Sequence, residues 1–181
     1  MKITTKKMVL IAMMCAAAYA AVALIRIPTW FAPFLKYEPK DVIIVITGFM
    51  LGTAAAAVTS LVSALIELVS ISDTGIIGFI MNVLSSAGFA VTAAVIYKRV
   101  HSFKGAIIGL ISGIIVMTVL MLIWNYMITP MYMDKPRSEV AGMLIPIFLP
   151  FNLMKGAVNS VITLLIYKPI TRALRKGNLL V

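Results

Sequence analysis

The sequence predicts an all-α integral membrane protein with six transmembrane helices. Of its 181 residues, 62% are hydrophobic and only 12% are charged, which is far outside the range of soluble globular domains. A membrane helix needs about 20 apolar residues, so a single domain of this length has room for about six spans. The basic residues, which give a net charge of +10, lie in short clusters between apolar runs. This placement suits membrane topology and argues against nucleic-acid binding.

The first predicted helix, residues 8–25, follows a basic start and resembles a signal peptide. Its apolar run is long enough to span a bilayer, so we expect a retained helix instead. Ala12, Ala16 and Ala20 recur at every fourth position, and they give this helix a nearly flat face that permits close approach of another helix. Internal packing and an interface with another subunit are equally compatible with that face.

The second and third helices are predicted by dividing one long apolar run, residues 42–71. As a single helix this run would measure about 45 Å, half again the roughly 30 Å hydrocarbon core. Gly48 and Gly52 lie near its centre, where a tight turn costs little. We therefore expect helices at residues 41–51 and 53–71. The first of these is so short that it must tilt steeply, be extended by its flanks or be shielded by protein.

Three further apolar runs complete a single membrane domain over residues 1–181. They predict helices at residues 76–97, 104–128 and 146–167. With six helices, the basic clusters at residues 2–7, 98–104 and 168–176 all fall on one side of the membrane. The positive-inside rule makes that side the cytoplasm, so both termini are expected there. With five helices, the middle cluster would have to face outward.

Polar side chains from four predicted helices fall in one layer of the bilayer. With a rise of about 1.5 Å per residue, Lys155 lies about 20 Å above the cytoplasmic boundary and Glu67 about 21 Å. Asn82 and Asn125 approach the same layer from the outer ends of their helices. The inner half offers almost no polar group. We therefore expect a ligand pocket that opens to the outside, without a conduction path of the chain's own.

Lys155 is the most informative residue in this layer. Asn152, Lys155 and Asn159 follow the spacing i, i+3, i+7 and so share one face of the sixth helix. Lys155 lies too deep to reach the membrane surface easily, which favours a ligand or an acidic partner. An internal ion pair with Glu67 would make both residues structural. Asn82, Asn125 and Asn159 could each equally bridge two helices, and aromatic residues such as Tyr37 fit either an interfacial belt or a stacking site for a planar ligand.

Enzymatic chemistry has little support in this sequence. The only histidine, His101, lies in a predicted cytoplasmic loop, and Glu67 is the only carboxylate deep in a span. The single cysteine, Cys15, permits neither an intramolecular disulfide nor a metal cluster, and the chain has no G-x-x-x-x-G-K-[ST] loop for ATP. We therefore predict no catalytic residues and no metal site. A non-transport membrane scaffold would explain the alanine face but not the polar layer.

Four segments carry a resemblance to a known family. They are LKYEPKDV at 35–42, DTGIIGFIMN at 73–82, WNYMITPMYM at 124–133 and PFNLMKGAVN at 150–159. On these segments, nearly the whole chain resembles the S components, or substrate-binding subunits, of energy-coupling factor (ECF) transporters, and within them the riboflavin-specific branch. The last two segments are the most specific, because six helices and an alanine motif are shared by all S components.

The resemblance implies the ligand and several contacts to it. In riboflavin S components, the asparagine and lysine of PFN-x-x-K, here Asn152 and Lys155, hydrogen-bond the isoalloxazine ring. The asparagine that ends the fifth helix, here Asn125, also faces the ligand, and the first loop closes over the site. The predicted substrate-binding residues are Asn152, Lys155, Asn125, Asn82, Glu67, Tyr37 and Leu35.

The resemblance also implies partners and a location. The alanine face of the first helix in such proteins docks on a membrane coupling subunit, which works with two cytoplasmic ATPases. This chain would then be a non-enzymatic riboflavin-binding subunit of a vitamin uptake transporter in the cell membrane of a prokaryote. Riboflavin would be its transported ligand, and no cofactor is expected. An S component for another vitamin is the nearest alternative.

Overall fold

The computed structural model describes residues 4–72 and 74–176, and all their side chains except those of Pro33 and residues 170–176. Within these residues the chain forms a helical bundle with one β-hairpin. In chain order, the elements are α1 (Thr5–Leu24), β1 (Ile27–Thr29), β2 (Ala32–Tyr37), α2 (Lys40–Leu51), α3 (Thr53–Ser70), α4 (Gly75–Arg99), α5 (Phe103–Met133), α6 (Arg137–Met143), a π-helical turn (Leu144–Phe148) and α7 (Leu149–Lys176). The six predicted helices correspond to α1–α5 and α7. The hairpin and α6 lie between the predicted helices, in segments for which no regular structure is predicted.

The predicted division of the long apolar run occurs at Gly52. This residue has φ +94°, and its N–H donates to the carbonyl of Gly48 at 3.0 Å to close α2. Glycine reaches such a backbone conformation without a Cβ clash, so α3 can start at once in a new direction. Ten of the twelve residues in α2 are buried against the surrounding helices. Of the three ways to accommodate so short a helix, the fold therefore uses shielding by protein.

Five helical stretches of the described chain are long and apolar enough to cross a membrane. They are Thr5–Leu24, Thr53–Ser70, Gly75–Arg99, Phe103–Met133 and Arg137–Pro169. The twelve-residue α2 is not among them, since it is too short to span the bilayer unaided. The protein is thus a membrane-type helical bundle in which α2 forms part of the interior.

Helices α4 and α5 approach each other closely because glycine stands at the contact. A Cβ built at Gly113 would lie 2.6 Å from the carbonyl oxygen of Phe89, and one at Gly109 would lie 2.7 Å from that of Ala93. Phe89 and Met117 are fully buried at this contact. Small residues that let two backbones approach are the usual means of packing helices in lipid.

The segment between α5 and α7 differs from the sequence expectation. Helix α5 continues to Met133, past the expected end at residue 128, and it contains Pro130 in its last turn. Helix α6 then leads through the π-helical turn directly into α7. That turn contains Pro146, which has no N–H to donate, so the regular α-helical ladder is interrupted there. The segment between the predicted fifth and sixth helices is therefore helical over most of its length.

The alanine face of α1 points away from the other described helices. Ala12, Ala16 and Ala20 are all exposed, whereas Cys15 and Ala18 on the opposite side are buried. Of the two interpretations left open by the sequence, internal packing does not apply to the described structure. The flat face is available to lipid or to another protein.

Candidate ligand-binding site

A cavity of about 300 Å³ lies at the end of the bundle that carries the hairpin. This volume falls at the lower end of the range of about 300–1,000 Å³ that is typical of small-molecule sites. Its wall is formed by residues of the hairpin, α4, α5, the π-helical turn and α7. The polar lining residues are Arg26, Lys36, Glu38, Thr74, Asn82, Ser85, Asn125, Tyr132, Asn152 and Lys155, and the apolar ones are Phe34, Leu35, Met81, Met121, Phe148 and Phe151. Such a mixed wall suits a flat, largely aromatic ligand with a polar edge.

The hairpin is held across the cavity by aromatic contacts. The rings of Phe31 and Phe151 meet edge to face with centroids 6.5 Å apart, and those of Phe34 and Phe148 are 6.2 Å apart. Aromatic pairs at such distances add modestly to the free energy of burial. Strands β1 and β2 pair in antiparallel fashion with an irregularity between Pro28 and Thr29. The hairpin therefore covers the cavity as a packed element.

The side-chain amides of Asn82 on α4, Asn125 on α5 and Asn152 on α7 lie around the cavity. On α7, Asn152 donates from Nδ2 to the carbonyl of Phe148 at 2.7 Å. On α5, Asn125 donates to the carbonyl of Met121 at 2.6 Å and accepts from Thr129 at 2.8 Å. These bonds within one helix fix both side chains while leaving further amide donors and acceptors for a bound molecule.

Lys155 forms an ion pair with Asp41, at 3.2 Å between Nζ and Oδ2. The other carboxylate oxygen of Asp41 accepts from the hydroxyl of Ser86, and the amide of Asn159 donates to Oδ2 at 3.4 Å. Glu67 is the acidic partner that the sequence suggests for Lys155, and the structure corrects this pairing. Asp41 stands at the outer end of the predicted helix at residues 41–51, where burial is not expected, whereas its side chain is fully buried in the first turn of α2.

Glu67 belongs to a second buried ion pair. Lys40 donates to both carboxylate oxygens of Glu67, at 2.8 and 2.6 Å, and it lies 3.3 Å from Glu38. Asn82 donates to the same carboxylate at 3.2 Å, and this bond connects the pair to the cavity wall. A buried charge is tolerated when it is both paired and hydrogen-bonded, and Glu67 is both.

Glu38 and Tyr37 connect the hairpin to these charges. Burial on its own would raise the pKa of Glu38, but Lys40, Lys155 and Arg26 outweigh it and hold that pKa below its ordinary value. Arg26 donates to Glu38 at 3.1 Å. Burial raises the pKa of the Tyr37 hydroxyl, and the nearby Asp41 carboxylate adds to the rise. The carboxylate of Glu38 thus balances cations that would otherwise repel one another.

Five of the seven predicted substrate-binding residues line the cavity, namely Asn152, Lys155, Asn125, Asn82 and Leu35. Glu67 lies behind Asn82, and Tyr37 directs its hydroxyl to Asn159. Contact of any of these residues with a ligand stays a prediction. The expectation that Asn152, Lys155 and Asn159 share one inward face agrees with the structure, where all three are buried.

Sequence reasoning missed Lys40 and Asp41, which are 1% and 0% exposed. Lys40 precedes the predicted helix at residues 41–51, and Asp41 stands at its outer end. One signal could have found them. Glu67 and Lys155 each demanded a partner of opposite charge, and adjacent Lys40 and Asp41 supply one of each sign at the start of an apolar helix.

The far end of the bundle is closed by aromatic side chains. Phe49 and Tyr97 lie with ring centroids 4.4 Å apart, and Tyr167 packs against both rings. The hydroxyl groups of Tyr97 and Tyr167 also contact each other. This cluster packs the interior at the end of the bundle opposite the cavity.

Three comparisons with known proteins indicate one and the same family for this chain. Residues 6–167 match the family described as the substrate-specific component of ECF transporters. The chain is 34% identical to the riboflavin transporter RibU of Staphylococcus aureus strain TCH60, over 94% of this chain and 93% of that protein. It is 30% identical to the riboflavin transporter FmnP of Bacillus subtilis strain 168, over 90% of each. A solved S component of a bacterial ECF transporter superposes with a TM-score of 0.80 at 32% identity, over 93% of this chain and 97% of the other.

Proposed function

This chain belongs to the family of substrate-specific components of ECF transporters, and from that premise we propose that it binds riboflavin as the uptake subunit of such a transporter. The observation that carries the proposal is the convergence of Asn125, Asn152 and Lys155 on one cavity beneath the hairpin. Relatives at 34% and 30% identity over nearly their whole length are riboflavin transporters.

The cavity offers what an isoalloxazine ring requires. The ring has a polar edge with carbonyl and ring-nitrogen acceptors and one imide donor, which a lysine and asparagine amides can match. Its flat faces would lie against the phenylalanine and methionine side chains of the wall. In this arrangement Lys155 and Asn152 bond the ring edge, and the hairpin with Leu35 encloses the ligand.

The same proposal extends to topology and partners. Both termini lie in the cytoplasm of a prokaryotic cell, and the cavity opens to the outside, as the basic clusters favour. The exposed face of Ala12, Ala16 and Ala20 docks on a membrane coupling subunit that carries two ATPases. Those partners hydrolyse ATP, and this chain binds and delivers the vitamin without catalysis.

Titration of detergent-purified protein with riboflavin, followed by quenching of the flavin fluorescence, tests the proposal. Lys155→Ala and Asn152→Ala should each weaken binding by about tenfold or more, which corresponds to about 1.4 kcal/mol. Lys135→Ala is the matched control, because Lys135 pairs with Glu139 on the exposed surface. A parent protein that binds no riboflavin would refute the assignment and direct the search to other vitamins. Unchanged affinity in both variants would refute the site.

A further inference from the structure

Asp41 lies directly behind the cavity wall and contacts three side chains from two helices. It is fully buried and does not line the cavity, whereas its partner Lys155 does. Oδ2 lies 3.2 Å from Nζ of Lys155 and 3.4 Å from Nδ2 of Asn159, and Oδ1 accepts from the hydroxyl of Ser86 at 2.5 Å. The carboxylate is therefore fixed between α4 and α7, and it holds the lysine from outside the ligand space.

A lysine side chain needs such a support to act as a precise donor. Its ammonium is a compact charge at the end of four flexible bonds, so an unsupported lysine loses much conformational entropy when it binds a ligand. A side chain that is held in place before the ligand arrives avoids this cost at the moment of binding. Asp41 also supplies the opposite charge that a buried ammonium requires.

We propose that Asp41 is a positioning residue that sets the affinity for flavin by holding the ammonium of Lys155 at the cavity wall. The inference rests on the proposed function, since it assigns Asp41 a role in that same site. Asp41 touches no ligand in this proposal and acts only through Lys155. The competing possibility, that Asp41 and the ligand compete for Lys155, predicts the opposite sign and is decided by the test below.

A double-mutant cycle on the purified, folded protein tests the proposal. Asp41→Asn should weaken riboflavin binding by about fivefold or more, because neighbouring charged residues couple strongly. In a Lys155→Met background, the same Asp41→Asn change should alter the affinity by less than about twofold. Glu139→Gln, which replaces an exposed carboxylate that pairs with Lys135, is the matched control. Tighter or unchanged binding in Asp41→Asn overturns the proposal, and so does an equal loss with and without Lys155.

Two further variants keep the cycle informative if Asp41→Asn alone does not fold. The Asp41→Asn/Lys155→Met double variant removes both charges and should fold, since removal of a complete buried pair is tolerated better than removal of one partner. Ser86→Ala retains the carboxylate but removes one of its anchors. It should weaken binding by about twofold or more when Lys155 is present and have no effect in Lys155→Met. An effect of equal size in both backgrounds would overturn the proposal.

A measurement without ligand separates failure of this proposal from failure of the riboflavin assignment. A small amine-selective acylating reagent is added to the ligand-free parent, Ser86→Ala and Asp41→Asn proteins. Mass spectrometry then measures how fast Lys155 is modified in each. Release of Lys155 from Asp41 should raise this rate by about fivefold or more in Asp41→Asn, while the rate at the exposed Lys135 stays the same. Equal rates at Lys155 in parent and Asp41→Asn overturn the proposal even if riboflavin binds. A faster rate shows that Asp41 holds Lys155 in place, whichever vitamin is the ligand.

Discussion

The hydroxyl of Tyr37 donates a hydrogen bond of 2.8 Å to Oδ1 of Asn159, which is 122 residues away in the chain. Tyr37 is the last residue of β2, and Asn159 is fully buried in α7. The amide of Asn159 in turn donates to Asp41. The strand that covers the cavity is thus connected at its end, through Asn159, to the carboxylate of Asp41 that pairs with Lys155.

Tyr37→Phe should loosen the hairpin without changing its packing. Loss of one hydrogen bond to a buried amide costs about 1 kcal/mol, so riboflavin should dissociate about fivefold faster. Stopped-flow displacement of bound riboflavin measures this rate. Tyr126→Phe is the matched control, because Tyr126 is exposed on α5 and does not line the cavity. An unchanged dissociation rate in Tyr37→Phe would show that the bond does not restrain the hairpin.

Among the polar contacts, the Lys40–Glu67 pair should contribute most to the free energy of unfolding. Lys40→Met leaves the buried carboxylate of Glu67 without its cation and removes one of the two cations that pair with Glu38, at a cost of about 3–5 kcal/mol. The melting temperature should fall by on the order of 10 °C. The Lys40→Met/Glu67→Gln double variant should recover most of this loss. Lys135→Met, at an exposed ion pair, should lower the melting temperature by no more than a few degrees. A Lys40→Met variant with the melting temperature of the parent would contradict this interpretation.

The sequence predicted the fold where the thickness of the bilayer limits the length of a helix. The apolar run at 42–71 exceeded the thickness of the hydrocarbon core, so it had to break, and the break occurs at Gly52 as predicted. The hairpin and α6 could not be predicted in this way, because they lie outside the apolar runs. The pairing of β1 with β2 depends on tertiary contacts such as Phe31 with Phe151.

The depth of the site in the membrane could be predicted from the sequence, but the partners in its ion pairs could not. Depth along a helix follows from a constant rise per residue, which brought Lys155, Asn82 and Asn125 to one level. Ion pairing depends on the rotation of each helix about its axis and on which helices are neighbours. Neither quantity can be read from periodicity when helices such as α5 are apolar on nearly every side. This is why Asp41, in the first turn of α2, was not recognised as the partner of Lys155.

Protonation of Glu38 should lower the stability of the folded protein in acid. Its pKa in the folded protein lies below the ordinary value of 4.5, so its carboxylate contributes stability that is fully present above that pH. The contribution is lost as the pH falls through the lowered pKa and the carboxyl takes up a proton. Melting temperatures between about pH 3 and pH 7 should decline less steeply below about pH 4.5 in Glu38→Gln than in the parent. Glu139→Gln provides an exposed carboxylate for comparison, and equal slopes for parent and Glu38→Gln would refute the assignment.

Gly113→Ala should disrupt the contact between α4 and α5. The new Cβ would lie 2.6 Å from the carbonyl oxygen of Phe89, and a backbone atom cannot move aside as a flexible side chain does. Overpacking of this kind costs about 1–3 kcal/mol and should lower the melting temperature by several degrees. Gly142→Ala in α6 is the matched control, since no atom lies within 4 Å of its built Cβ. That change should be neutral or slightly stabilising, and a neutral Gly113→Ala would show that the two helices can separate freely.

The alanine face of α1 should matter for assembly but not for ligand binding. Ala16 lies at the centre of a face that the chain's own described helices leave exposed. Ala16→Trp keeps the surface apolar, so the helix should still insert, but the indole ring prevents another helix from approaching closely.

Co-expression with the proposed coupling subunit and ATPases, followed by purification, measures the effect. Ala16→Trp should reduce the recovered complex by about tenfold or more, on the scale of a lost central interface contact, while riboflavin titration of the isolated subunit gives the parental affinity. Ile115→Trp places the same ring on an exposed position of α5 and should assemble normally. Equal recovery of complex with Ala16→Trp would mean that the alanine face contacts lipid, and the partner would then have to dock on another surface. Because the cavity residues lie on the hairpin, α4, α5 and α7 rather than on α1, a loss of assembly with intact binding would separate the two activities on one small bundle.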